Sequence, residues 1–304
     1  MTKIAFCFPG QGSQRVGMGR DLAAAVPEAA AVFDQAAGAA GFDVAAVSFD
    51  GPIEELSKTE VTQPALVAAS LAALRAVEVR YGTAPEVVVG HSVGEYAALA
   101  AAGSIGVPEV IGLVRERGLA TAASRAGGGM AAVLKLTDEQ VEQLCGARDD
   151  VWPANYNSPG QVVISGRDAG LDAVAEGAAG LGGKLIRLKV SGAFHSPLMA
   201  DAGARLQPAL DAATFGPLQT LYMSTVSNRL ETAEHVPALL LEQLTAPVRF
   251  TQAVQALVAD GVDTFVEIGP GGVLAGLIKR IDRSVAVLSI GTIDELDAAE
   301  ATLG

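Results

Sequence analysis

Basic charge is scarce in this chain. Its 304 residues include 21 lysines and arginines against 34 aspartates and glutamates, a formal net charge of −13. Binding along a phosphate backbone requires a basic face, so nucleic acid is excluded as the expected partner. Cysteine is scarcer still, with only Cys7 and Cys145. Two thiols cannot form the disulfide framework of a secreted scaffold, and they fit buried residues in a reducing cytoplasm. Long uncharged runs are missing too. The least charged stretch, Tyr96 to Val114, is interrupted by Gly103, Gly106, Pro108 and Glu109, which reads as a buried helix pair and not a membrane span. The apolar run at the start stops at Pro9-Gly10, too short for a secretory core. The expectation is a cytoplasmic protein with no membrane segment.

What is present is apolar and small. Hydrophobic residues make up 50% and charged residues 18%, which excludes a disordered chain. Lys3–Phe8 is an apolar run closed by Pro9-Gly10, hence a buried strand and a turn. Pro64–Tyr81 predicts a long helix with proline in its first turn. Glu86–Val89 predicts a buried strand, followed by a helix over Glu95–Ala102 and another over Val107–Ala123.

Gly127-Gly128-Gly129 marks a change of organisation. From there the pattern runs strand (Met130–Leu134), helix (Thr137–Cys145), strand (Val151–Asn155), strand (Gln161–Ser165), helix (Asp168–Leu181), strand (Lys184–Val190). This βαββαβ order is ferredoxin-like. After Gly192 the larger pattern resumes with helices over Ser196–Ala213 and Thr251–Asp260, a strand over Thr264–Ile268, a helix over Val273–Arg280 and a strand over Ser284–Ile290. Strands alternating with helices imply an α/β fold with a parallel sheet covered on both faces. The expected division is a large domain of residues 1–126 and 192–304, with an inserted subdomain of residues 127–191.

Gly90-His91-Ser92-Val93-Gly94 fits G-x-S-x-G between a buried strand and a helix, the context that gives the pattern meaning. A sharp turn there needs glycine at both flanks and lifts the Ser92 hydroxyl toward a helix N-terminus. The unpaired Val93 N–H can then stabilise an oxyanion. An ordinary glycine-bounded turn with serine as helix cap is the plain alternative. A serine nucleophile needs a base, and the chain has 3 histidines. His91 is adjacent to Ser92 and turned away by the elbow, and His235 lies in a polar stretch. His195 sits where a strand ends and a helix begins, so elimination and topology favour it. Asp201 and Glu267 are available as a third member, but neither has a telling context. A main-chain carbonyl can orient the imidazole instead, so a dyad is expected.

Phe8-Pro9-Gly10-Gln11-Gly12-Ser13-Gln14 follows the first strand. It lacks dinucleotide spacing, and no phosphate-binding loop motif occurs anywhere. The Gln11 backbone N–H suits a second oxyanion donor, against the alternative of a plain tight turn. Arg115 and Arg117 lie in an otherwise apolar helix. A guanidinium facing the buried side suits a carboxylate, and pairing with Glu116 on a solvated face is the other option.

Taken together, FPGQGSQ, GHSVGE, the Arg117-Gly118 pair, NYNSPGQVVISG, GAFHS and EIGPGG resemble, in that order, malonyl-CoA:acyl-carrier-protein transacylases. They also resemble the acyltransferase domains of fatty acid and polyketide synthases. The resemblance spans essentially the whole chain. It implies an α/β-hydrolase-like large domain carrying the ferredoxin-like insertion. It further implies Ser92 as nucleophile, His195 as base and Gln11 and Val93 at the oxyanion. Arg117 would pair with the malonyl carboxylate, and Asn155 and Asn157 would border the cleft as support. The segment Ala246–Phe250 resembles the place where a main-chain carbonyl holds the histidine. The Ala193-Phe194-His195-Ser196 run resembles malonyl-selective members, with the bulk of Phe194 beside the substrate α-carbon.

The implied activity is that of an [acyl-carrier-protein] S-malonyltransferase in fatty acid biosynthesis. It would work by ping-pong transfer from malonyl-CoA to acyl carrier protein, with no cofactor and no metal, as a monomer. A stand-alone polyketide loader shares every motif, and a serine thioesterase or esterase shares the elbow.

Overall fold

The computed structural model describes residues 2–124, 127–190 and 192–304. The expected domain boundaries at 126 and 191 lie outside the described residues. The described residues form two sheets. Strands β1 (Ile4–Phe8), β2 (Val87–Gly90), β7 (Leu221–Met223), β8 (Leu230–Glu231), β9 (Thr264–Ile268) and β10 (Ala286–Ile290) make a six-stranded sheet in the order β10-β9-β1-β2-β7-β8. Strands β3 (Gly129–Leu134), β4 (Val151–Ser158), β5 (Gln161–Gly166) and β6 (Lys184–Arg187) make a second sheet in the order β4-β5-β3-β6.

The large sheet is parallel except for the β7–β8 pair. β1 and β2 are wholly buried, as continuous apolar runs in a covered parallel sheet must be. Their register sets Phe8 opposite Gly90, so both strands end level. The loop after β1 and the turn after β2 therefore emerge side by side at the carboxyl edge, where sites of open α/β sheets collect. The small sheet is antiparallel, and helices Asp138–Gly146 and Asp168–Gly180 make its two crossovers. The first of them starts in a capping box between Thr137 and Gln140, which satisfies two otherwise orphaned N–H groups.

The main chain of Val248 joins the two parts. Its N–H donates to the Ala154 carbonyl at 2.8 Å, and its carbonyl accepts from the Tyr156 N–H at 2.9 Å. A strand-like bridge thus ties this segment to β4.

Pro64 does not open its helix. The helix runs Thr59–Tyr81, with Pro64 inside it. A proline there removes the N–H that would bond the carbonyl four residues earlier, that of Glu60. Arg115 supplies the missing donor, its Nη1 lying 2.6 Å from the Glu60 oxygen. The interior proline is tolerated because its orphaned acceptor finds a partner across the helix pair. The partner helix, Val107–Ala122, approaches closely at Gly118, where a Cβ would come within 2.8 Å of Glu60 Cα. That approach sets Gln63 against Arg117. Elsewhere, β6 stops at Arg187, short of the expected Val190, and the expected helix over Ser196–Ala213 divides into a 3-10 turn, Pro197–Met199, and the helix Ala200–Ala212.

Candidate active site

The turn between β2 and the helix Gly94–Ala101 has no room for side chains at its flanks. A Cβ on Gly90 would lie 2.1 Å from the Glu95 nitrogen, and one on Gly94 would lie 2.1 Å from the Phe8 oxygen. Ser92 at its tip takes φ 54°, left-handed backbone that a non-glycine residue adopts at a cost and that a nucleophile elbow requires. Gly94 and Glu95 donate back to the carbonyls of His91 and Ser92 at 2.9 and 3.0 Å, which closes the turn.

His195 also has positive φ, 58°, and is 4% exposed. Its Nε2 lies 2.7 Å from Ser92 Oγ, and its Nδ1 lies 2.8 Å from the Gln243 carbonyl oxygen. A carbonyl only accepts, so Nδ1 carries the proton and Nε2 presents its lone pair to the hydroxyl. Burial, reinforced by the Arg117 charge and opposed by the Gln243 carbonyl, lowers the pKa of His195 to about 3. The ring is therefore neutral, the form a base needs.

The carbonyl that holds His195 is Gln243, upstream of the expected segment Ala246–Phe250, with a smaller contribution from the main chain at Ala246. Val248 and Arg249 are engaged elsewhere, with β4 and with the Thr225 carbonyl. Among the described residues, no carboxylate bonds the imidazole. Asp201 accepts from Ser124 Oγ at 2.7 Å, and Glu267 lies buried in β9, accepting from the Ala275 N–H at 2.8 Å. His91 turns away and donates from Nε2 to Asn157 Oδ1 at 2.8 Å, and His235 is exposed beside Glu231.

The two arginines divide as their helix faces dictate. Arg115 serves the Glu60 carbonyl and stacks 5.2 Å from the Phe42 ring. Arg117 is 4% exposed and, among the described residues, donates only to neutral oxygens. Its Nη1 reaches Gln63 Oε1 at 2.9 Å, and its Nη2 reaches Gln243 Oε1 at 3.0 Å and Ser92 Oγ at 3.2 Å. Burial pulls its pKa down from the ordinary value. A cation with no bonded carboxylate in a closed site favours an incoming anion.

A cavity of about 150 Å³ lies over Ser92, Arg117 and His195. Gln11, Asn155, Asn157 and Phe194 line it as well. Val93 is buried beneath, immediately before the elbow helix. The Gln11 loop abuts the elbow so closely that a Cβ on Gly10 would lie 2.5 Å from the His91 oxygen. A larger cleft of about 1030 Å³, past the β7–β8 edge at Pro85 and Leu221, contains none of these groups. Among the described residues, no cluster of histidine, cysteine or carboxylate side chains could hold a metal, and no helix is long and apolar enough to cross a membrane. Both cysteines are free and buried.

Residues 5–298 match the family model described as acyl transferase domain. A malonyl CoA-acyl carrier protein transacylase of Bacillus subtilis is 40% identical, over 100% of this chain and 98% of its own. The crystal structure of an acyl-carrier-protein-S-malonyltransferase from Bartonella henselae superposes with a TM-score of 0.96 at 36% identity, covering 100% of both chains. A malonyl-transacylase solved in complex with its type II PKS acyl-carrier protein superposes at 0.94 with 38% identity, over 98% of this chain and 99% of that one. This chain belongs to the malonyl CoA-acyl carrier protein transacylase family.

Two members of the polar cluster escape sequence reasoning in this transacylase. Gln63 lies inside a helix and Gln243 caps the end of the helix Val236–Glu242; both are uncharged amides among apolar residues, and nothing in their neighbourhood marks them. The only available signal is indirect: a buried guanidinium must find neutral acceptors if no acid is near.

Proposed function

We propose that Ser92 and His195 carry malonyl transfer from malonyl-CoA to the phosphopantetheine thiol of acyl carrier protein, the reaction of an [acyl-carrier-protein] S-malonyltransferase in fatty acid biosynthesis. One observation carries the assignment: His195 Nε2 and Arg117 Nη2 lie 2.7 and 3.2 Å from the same Ser92 oxygen. Base and carboxylate anchor therefore converge on one nucleophile.

The Ser92 hydroxyl gives its proton to His195 as its oxygen attacks the thioester carbonyl. Negative charge on that carbonyl oxygen falls between the Gln11 and Val93 amides. The carbon–sulfur bond breaks, CoA leaves as the thiol with the proton from His195, and a malonyl-serine ester remains. The carrier thiol then loses its proton to His195 and attacks the ester. Ser92 departs with that proton, and malonyl-carrier thioester is released. Arg117 pairs with the malonyl carboxylate through both half-reactions, and Asn155 and Asn157 support the cleft wall. CoA is a substrate, and no step requires a cofactor. A His195 oriented by a main-chain carbonyl suffices because the imidazolium is transient.

The same reading takes residues 127–191 as a subdomain inserted between residues 1–126 and 192–304, and the protein as a cytoplasmic monomer. The relative in complex with a type II PKS carrier favours a second reading of the pathway, delivery to a polyketide carrier. Transfer rates across both carrier types separate the two. Replacing Ser92 by alanine should abolish the mass increase of a malonyl adduct in intact-protein mass spectrometry, along with transfer to carrier. A malonylated S92A protein would refute the assignment.

A further inference from the structure

Glu95 is wholly buried at the start of the elbow helix and takes no part in the chemistry above. A carboxylate in that position must be supplied with donors. Thr225 provides two, its N–H at 2.6 Å and its hydroxyl, both to Oε1. Gln243 gives another, its Nε2 lying 2.7 Å from Glu95 Oε2, and the Tyr222 hydroxyl adds to them. Burial pushes the Glu95 pKa up, and these donors pull it back.

Gln243 also donates from Nε2 to the Ser92 main-chain oxygen at 3.1 Å. Both groups facing the amide nitrogen are acceptors, so the carboxamide has one allowed orientation. Its oxygen must point the other way, to Arg117 Nη2 at 3.0 Å. The His195 contact uses the main chain of Gln243 and does not depend on how the carboxamide is turned.

We propose that Glu95 is a positioning residue for acyl-group choice: by fixing the Gln243 carboxamide, it holds the Arg117 guanidinium where a substrate carboxylate meets it. This deepens the malonyl-transfer reading and rests on it. A glutamine at position 95 nearly preserves shape but can offer its own NH2 to Gln243. The carboxamide then keeps only the Ser92 main-chain oxygen as acceptor for its nitrogen, and when it turns its NH2 group opposes the guanidinium. Arg117 loses an anchor, while the Ser92–His195 contact keeps its own.

The test compares wild-type and Glu95→Gln protein with malonyl-CoA and acetyl-CoA, following acyl-enzyme formation and transfer to carrier. The malonyl-CoA kcat/KM should fall about tenfold, mainly through KM, with acetyl-CoA changed less than about threefold. Equal losses for both donors, or none for either, overturn the proposal. Should E95Q fail to fold by thermal melting, Thr225→Val takes its place. It keeps the carboxylate with one donor fewer and should lose malonyl transfer selectively by about threefold; unchanged selectivity overturns the proposal. Wild-type protein that transfers no malonyl group would instead remove the underlying reading, so the two failures are distinct.

Discussion

On the side of the six-stranded sheet, the Ser92 cavity presents groups whose positions are fixed by hydrogen bonds or by the backbone itself. Arg117 is held by Gln63 and Gln243, His195 by a main-chain carbonyl, and Ser92 by a turn with no space at either glycine. On the side of the four-stranded sheet, Met130 and Val163, with Leu188 and Val190 just beyond β6, offer mostly apolar surface. From that side Asn157 reaches across to His91. The contrast separates two tasks. Reacting and charge-bearing groups need angles held to fractions of an ångström, and the large sheet supplies them. In the proposed reaction, excluding water and measuring acyl size need only shape, and the small sheet would supply that. Phe194 stands between, packed against the core of each.

The largest expected effect breaks the polar side. Arg117→Ala should cost roughly 2–5 kcal/mol in malonyl-CoA kcat/KM by leaving a desolvated carboxylate unpaired. Acetyl transfer should fall less, so the malonyl-to-acetyl ratio measured in one assay is the readout, and equal losses would count against the assigned pairing.

A smaller effect concerns pH. The folded His195 pKa is lowered from 6.5 to about 3, so below the ordinary value the unfolded chain binds a proton that the folded chain refuses. This group therefore withdraws stability as pH falls from 6.5 toward 3 and contributes no pH dependence above that window. For the same reason the proposed base His195 should stay competent in mild acid. A kcat/KM profile for malonyl-CoA should be level through pH 6.5, and an acid limb centred there would contradict the neutral imidazole.

The smallest effect tests the apolar side. Phe194→Ala should improve methylmalonyl-CoA relative to malonyl-CoA by about 1–3 kcal/mol, the range of one-carbon discrimination. Steady-state kinetics with both donors decide it, and an unchanged ratio would place size selection elsewhere.

The same division explains what the sequence disclosed. Ser92 was legible because the elbow writes its constraints as glycines at fixed spacing. His195 emerged because only 3 histidines exist, and the other two are set aside by the elbow at His91 and the polar stretch around His235. The βαββαβ order was legible because each element there is short and cleanly punctuated. Arg115 and Arg117 could not be separated, since their helix faces are decided by Pro64 and Gly118, and only packing reveals that an orphaned Glu60 carbonyl needs the first of them. Gln243 was invisible for a related reason. Its role in aiming His195 uses the main chain, on which side-chain identity leaves no mark. Pro64 misled because proline usually opens helices, and the rule yields when a neighbouring helix can replace the lost bond.

The meeting of the Gln11 loop and the elbow has a thermodynamic corollary. Gly94 lies against the Phe8 carbonyl, Gly10 against that of His91, and the His91 N–H bonds Phe8 at 2.9 Å. Peptide units touch there without an intervening rotamer. The spacing between the two amides assigned to the oxyanion is thus set by covalent lengths and van der Waals radii, and almost no conformational freedom is left to freeze when a tetrahedral intermediate forms.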